Sequence, residues 1–223
     1  MTGQSQSMDD ICVIFDLDGT LVDSELLCNQ AFVDLLPDLT VSAEILLREY
    51  RGRKLSCIFR DLEERIGRPL GEDFERVYRH RVAELFGTDL KPVRGVRKTL
   101  ERLDRPKCVA SSGPRSKIEL AMRISGLATF FGSNVFSSYE IKSWKPEPGL
   151  FLHAAAAMGF SPNNCVVVED SAVGIEAALA AGMTAVHFCP TSETRVGNAT
   201  LVIEEMAQLP ELIEGFAKAR YNV

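Results

Sequence analysis

The chain has 223 residues, 46% of them hydrophobic and 25% charged, which is enough apolar material to bury one large core and still carry an insertion. Its net charge of −6 at pH 7 excludes the broadly basic surface through which a protein holds nucleic acid or an anionic membrane. Residues 1 to 10 are polar, no apolar run approaches a membrane span, and the six cysteines form no Cys-x-x-Cys pair, so a cytoplasmic protein with free thiols is expected.

The first predicted strand, residues 11 to 15, is the apolar run Ile11-Cys12-Val13-Ile14-Phe15, and it leads directly into Asp16-Leu17-Asp18-Gly19-Thr20. On an extended chain, residues two apart point to the same side, so the carboxyl groups of Asp16 and Asp18 can converge on one ligand. A metal ion beside Asp16 would hold it ionised as a nucleophile, while Asp18, aimed at a leaving group, can carry a proton. Gly19 permits the tight turn that exposes both.

From Ser24 to Leu90 the pattern changes to helix upon helix. Leu55, Ile58, Phe59, Leu62 and Ile66 make one apolar stripe, and Phe74, Val77, Tyr78, Val82 and Leu85 another. The stretch predicts a four-helix cap over residues 24–90, set into a core made of residues 1–23 and 91–223. Its return linker, Gly87 to Gly95, contains Pro92 and can hinge. Arg48, Arg51, Arg53 and Lys54 against Glu49 give this stretch a local excess of positive charge in an acidic protein.

After a helix marked by Val96, Leu100 and Leu103, a second strand is predicted at 107 to 111. It ends in Ser111-Ser112-Gly113, where hydroxyls and free amides before a helix suit phosphate oxygens. A third strand is predicted at 133 to 136. In Ser143-Trp144-Lys145-Pro146-Glu147-Pro148 a lysine sits between an aromatic residue and a rigid Pro-x-Pro, and a fixed ammonium there can neutralise a transferring phosphoryl group. The fourth strand, 165 to 169, ends in Glu169-Asp170-Ser171, hard oxygen donors that suit magnesium. Ser171 is placed to cap the helix containing Val173 and Ala177, and Gly182 to end it. A fifth strand at 184 to 188 and a packing helix at 209 to 216 complete the chain. Strands alternating with helices predict an α/β fold with a parallel sheet, whose ligands bind beyond the carboxyl ends of the strands, where all four motifs lie.

In these motifs the chain resembles the haloacid dehalogenase superfamily of phosphotransferases. The match is Asp-x-Asp-Gly-Thr at 16 to 20, Ser111, Lys145 and Glu169-Asp170. Thr20 to Ser24 and Lys145 to Pro148 resemble the helical-cap sugar-phosphate phosphatases and β-phosphoglucomutases within it. The resemblance implies a Rossmann-like sheet of order 3-2-1-4-5 and in-line attack by Asp16 on phosphorus, giving an aspartyl-phosphate that water hydrolyses. It also implies Mg²⁺ held by the Asp16 carboxylate, the Asp18 carbonyl and Asp170, with Glu169 nearby. Asp18 would then serve as acid and base, and Ser111 and Lys145 would bind the phosphoryl oxygens.

In related capped phosphatases a loop around a glycine, here Gly52, dips into the crevice. Gly52, Arg53, Lys54 and Ser112 are therefore the expected substrate contacts. A small phosphate ester with a second anion, such as 6-phosphogluconate, fits the basic loop. Dehalogenation is disfavoured, because halide departs without needing the proton of Asp18. Mutase members carry a histidine ten positions after the second motif acid, where this chain has Cys28, so a phosphatase is expected, with a phosphomutase as the alternative and a silent binding module third. Monomer and weak oligomer both stay open. His80, His153 and His187 lie outside the motifs and are expected at the surface or in packing.

Overall fold

The computed structural model describes residues 11–190 and 196–221. Residues 1–10, part of the expected core, lie outside them. Among the described residues, six strands form one parallel sheet in the order β3-β2-β1-β4-β5-β6. These are β1 (Cys12–Phe15), β2 (Lys107–Ser111), β3 (Val135–Ser137), β4 (Cys165–Glu169), β5 (Thr184–Phe188) and β6 (Leu201–Ile203). The expected order 3-2-1-4-5 holds, extended by β6. That strand is three residues long on an edge, too short for a sequence period to mark.

Strand alternation sorts the core into two layers. Val13, Phe15, Val109, Val166, Val168 and Val186 face one side, with α5 (Val96–Arg102), α6 (Arg115–Ile124) and α11 (Leu209–Tyr221). Cys12, Ile14, Cys108, Ala110, Cys165 and Ala185 face the other, against α9 (Gly149–Met158) and α10 (Ala172–Ala180). Three of the cysteines thus serve as small apolar residues that let alanine-rich helices approach the sheet. No disulfide joins the described residues.

Between β1 and α5 run four helices, α1 (Glu25–Leu35), α2 (Ala43–Tyr50), α3 (Leu55–Ile66) and α4 (Phe74–Asp89). Aromatic rings join them: Phe32 stacks on Tyr78 with centroids 4.3 Å apart, and Phe59 meets Phe74 edge-on at 5.4 Å. α4 continues through Gly87 to Asp89, so the connection back is shorter than the sequence suggests. A helical glycine costs about 1 kcal/mol, less than the burial of the adjacent Phe86 returns. The outgoing and returning strands of chain are tied: Asp23 N–H donates to the Lys91 carbonyl at 3.0 Å, and Val93 N–H to that of Leu21 at 3.0 Å. The short helices α7 (Ala128–Phe131) and α8 (Ser138–Ile141) flank β3.

Candidate active site

Parallel strands bring their carboxyl ends to one edge. Phe15 is level with Val109 and Val168, so Asp16 leaves the sheet beside the last residues of β2 and β4. There Asp16, Ser111, Lys145, Glu169 and Asp170 are all buried. Gly19 turns the chain with φ +78°, and a Cβ there would collide with the Asp170 carboxylate. Thr20 Oγ1 donates to Asp170 Oδ1 at 3.1 Å.

Lys145 Nζ donates to Asp16 Oδ1 and, at 2.5 Å, to Glu169 Oε1. The other Glu169 oxygen accepts from Ser171 N–H at 2.8 Å and from its hydroxyl at 2.9 Å, while Ser171 Oγ caps α10 by accepting from Gly174 N–H at 3.2 Å. The lysine is thereby fixed to the start of a helix through one carboxylate. Ser111 Oγ accepts from Gly113 N–H at 3.1 Å, which folds the β2–α6 loop, with Ser112, around the mouth of the site.

Three carboxylates, Asp16, Glu169 and Asp170, each present an oxygen within 4.8 Å of the others. Burial pushes Asp16 up to about 7, with Lys145 opposing and Glu169 and Asp18 adding to the rise. Asp170 is raised well above the carboxylate range by burial and then by Glu25, Glu169 and Asp16, with Arg51 opposing. The three buried carboxylates form an all-oxygen donor set of the kind that fits Mg²⁺.

Asp18 differs from its neighbours. Burial alone would raise it, but Lys117 Nζ, 2.8 Å from both its oxygens, and the Ser24 hydroxyl outweigh burial and hold it below its ordinary value. Lys117 is not among the residues that the motifs mark. A cation in the first turn of a helix, against the helix dipole, is the signal the sequence offers for it.

The helices α1 to α4 roof a cavity of about 710 Å³ over these groups. Gly52, at φ +73°, packs its backbone onto Ser171 and Val173 at the start of α10, so the loop does reach the strand ends. Arg53 and Lys54 line the cavity as expected, yet Arg53 lies 3.6 Å from Asp61 and over the Tyr50 ring, and Lys54 sits 5.7 Å from the Trp144 ring centre. The basic loop residue that reaches the carboxylates is Arg51, paired with Glu25 at 2.9 Å and 4.0 Å from Asp170. Burial pushes Glu25 up to about 7, with Arg51 opposing. His187 is buried and packs behind the site. Its Nδ1 accepts from Val196 N–H at 3.2 Å, which leaves Nε2 to donate to the Asp170 carbonyl at 3.2 Å. No helix among the described residues is long and apolar enough to cross a membrane.

The family model of haloacid dehalogenase-like hydrolases matches residues 12–182. The chain is 36% identical over 205 residues to a 6-phosphogluconate phosphatase of Escherichia coli K12, covering 90% of this chain and 93% of that one. It is 30% identical over 178 residues to a fructose-1-phosphate phosphatase of the same organism, covering 78% and 94%. A solved haloacid dehalogenase-like protein of Agrobacterium tumefaciens superposes with a TM-score of 0.80 at 31% identity, covering 93% and 99%. The chain belongs to the haloacid dehalogenase-like hydrolase family.

Proposed function

We propose that this phosphoric monoester hydrolase is a magnesium-dependent phosphatase of small phosphorylated sugars and sugar acids, 6-phosphogluconate among them, acting in the cytoplasm. The observation that carries the reading is the pairing of two neighbouring acids in opposite environments. Asp16 lies buried against Lys145, and Asp18 is held apart by Lys117 and Ser24. Carboxylates with such different surroundings suit a division of labour. Asp16 attacks phosphorus and the phosphorus–oxygen bond to the sugar breaks; Asp18, an anion in the free site beside Lys117, must enter this step protonated to give its proton to the departing oxygen. Water then attacks the aspartyl-phosphate and Asp18 takes a proton back. Ser111, Ser112 and Lys145 hold the phosphoryl oxygens. Magnesium, held by Asp16, Asp170 and the Asp18 carbonyl with Glu169 alongside, supplies charge neutralisation when bound.

The helices of residues 24–90 act as the cap that excludes stray water, and Gly52, Arg53 and Lys54 meet the far end of the substrate. Cys28, standing where mutase members carry histidine, favours hydrolysis over mutation. The test is phosphate release from 6-phosphogluconate, fructose 1-phosphate and p-nitrophenyl phosphate, with magnesium and with chelator. Turnover of the first in magnesium alone supports the reading. Isomerised substrate without free phosphate would replace it with the mutase.

A further inference from the structure

Asp18 owes its position to a residue of the sheet-packed core, and this bears on the fate of the covalent intermediate. Lys117 stands in the first turn of α6, whose Ile118, Ala121 and Met122 are buried against the sheet. Its ammonium spans both Asp18 oxygens at 2.8 Å each, which fixes the plane of the carboxylate as well as its place. The Ser24 hydroxyl donates to one of the same oxygens, and the Phe86 ring of α4 lies over the ammonium at 6.0 Å. A cation in the first turn of a helix opposes the dipole, and here the bonds to Asp18 offset that cost.

We propose that Lys117 is a positioning residue that holds Asp18 ready to take the proton of the attacking water, from an anchor in the core and not in the cap. The inference rests on the phosphatase reading and on the role given there to Asp18. In the step concerned, the water oxygen bonds to phosphorus, the bond between phosphorus and the Asp16 oxygen breaks, and Asp16 regains its carboxylate. The water's proton passes to Asp18, and inorganic phosphate leaves. An anchor on α6 keeps Asp18 in place whether or not a sugar fills the space beneath the helices, so the intermediate meets a ready base after the first product has left.

The kinetics of Lys117→Met and Lys117→Arg in the full chain, with magnesium and p-nitrophenyl phosphate, test this. For an aryl ester, kcat/KM reports formation of the intermediate, where the good leaving group needs no proton, whereas kcat reports its hydrolysis once that step is slow. Lys117→Met should lower kcat about tenfold or more while kcat/KM stays within about twofold, so that KM falls with kcat. Acid-quenched enzyme should carry more phosphate than wild type, and Lys117→Arg should restore kcat to within about threefold. Unchanged kcat in a folded Lys117→Met variant would overturn the proposal. So would a parallel fall in kcat and kcat/KM, the mark of a general packing defect. If Lys117→Met does not fold, Lys117→Gln is read by the same criteria. Wild-type enzyme that releases no phosphate from any ester would instead overturn the phosphatase reading, and the inference with it.

Discussion

The strand ends and the basic loop of residues 51–54 line one cavity, and they are built in opposite ways. At the strand ends, charge is buried and cross-linked: Asp16, Lys145, Glu169 and Ser171 form one hydrogen-bonded chain running into the cap of α10. In the loop, charge is partly exposed and held by ion pairs and ring faces, Arg53 on Asp61 and Tyr50, Lys54 on Trp144. Buried networks are geometrically exacting and costly to break, whereas exposed pairs are worth little and rearrange easily. On the proposed function the difference fits bond making at the strand ends, the same for every substrate, and selection by a surface that can change.

The comparison is broken most directly at Asp16. Asp16→Asn should lower turnover of every ester by more than about 10³-fold with the fold intact, since on the proposed mechanism it removes the attacking group and a metal ligand together. Substantial turnover by a folded variant, measured by phosphate release, would unseat the assignment. Asp18→Asn should cost alkyl phosphates on the order of 10²-fold or more in kcat/KM and aryl phosphates far less, because only a poor leaving group needs the proton. Equal losses on both classes would argue that Asp18 only shapes the turn.

The buried acids make a thermal prediction. Asp16 and Glu25, raised to about 7, hold protons in the folded state at pH values where the unfolded chain has released them. The stabilisation this gives the metal-free protein is therefore present at low pH and is lost as pH rises through about 7. On the proposed function, protons and magnesium compete for Asp16. At a concentration about 100 times its Kd at pH 8, magnesium should raise Tm by about 5–10 °C at that pH, and the same concentration should raise it by much less near pH 5.5, where protons weaken its binding. Equal shifts by calorimetry at both values would detach the cation from these acids. The smallest effect belongs to the loop: Arg53→Ala and Lys54→Ala should raise KM for 6-phosphogluconate about tenfold and leave p-nitrophenyl phosphate within about twofold. A parallel loss on both esters would erase the distinction between the two regions.

What the sequence discloses follows the same division. Asp16, Ser111 and Glu169 each stand at the end of an apolar run, and a parallel sheet must bring such ends together, so a local pattern is enough to gather them. Lys117 and Arg51 cannot be found that way. Their partners, Asp18 and Glu25, lie on other elements, and only the packing of α6 and the reach of the α2–α3 loop decide that they meet. β6 and the true end of α4 are hidden for a local reason: three edge residues carry no period, and Gly87 resembles a breaker until Phe86 is seen to be buried.

The paired bonds between residues 21–23 and 91–93 have an evolutionary consequence. Because the outgoing and returning chain are tied side by side, helices α1 to α4 enter and leave the core through a single gate. A segment of quite different length and shape can be spliced in at that gate without altering the order or register of the sheet, provided its two ends lie equally close. On the proposed division of roles, substrate range could then diversify by exchange of a whole cassette while the chemistry at the strand ends is inherited unchanged.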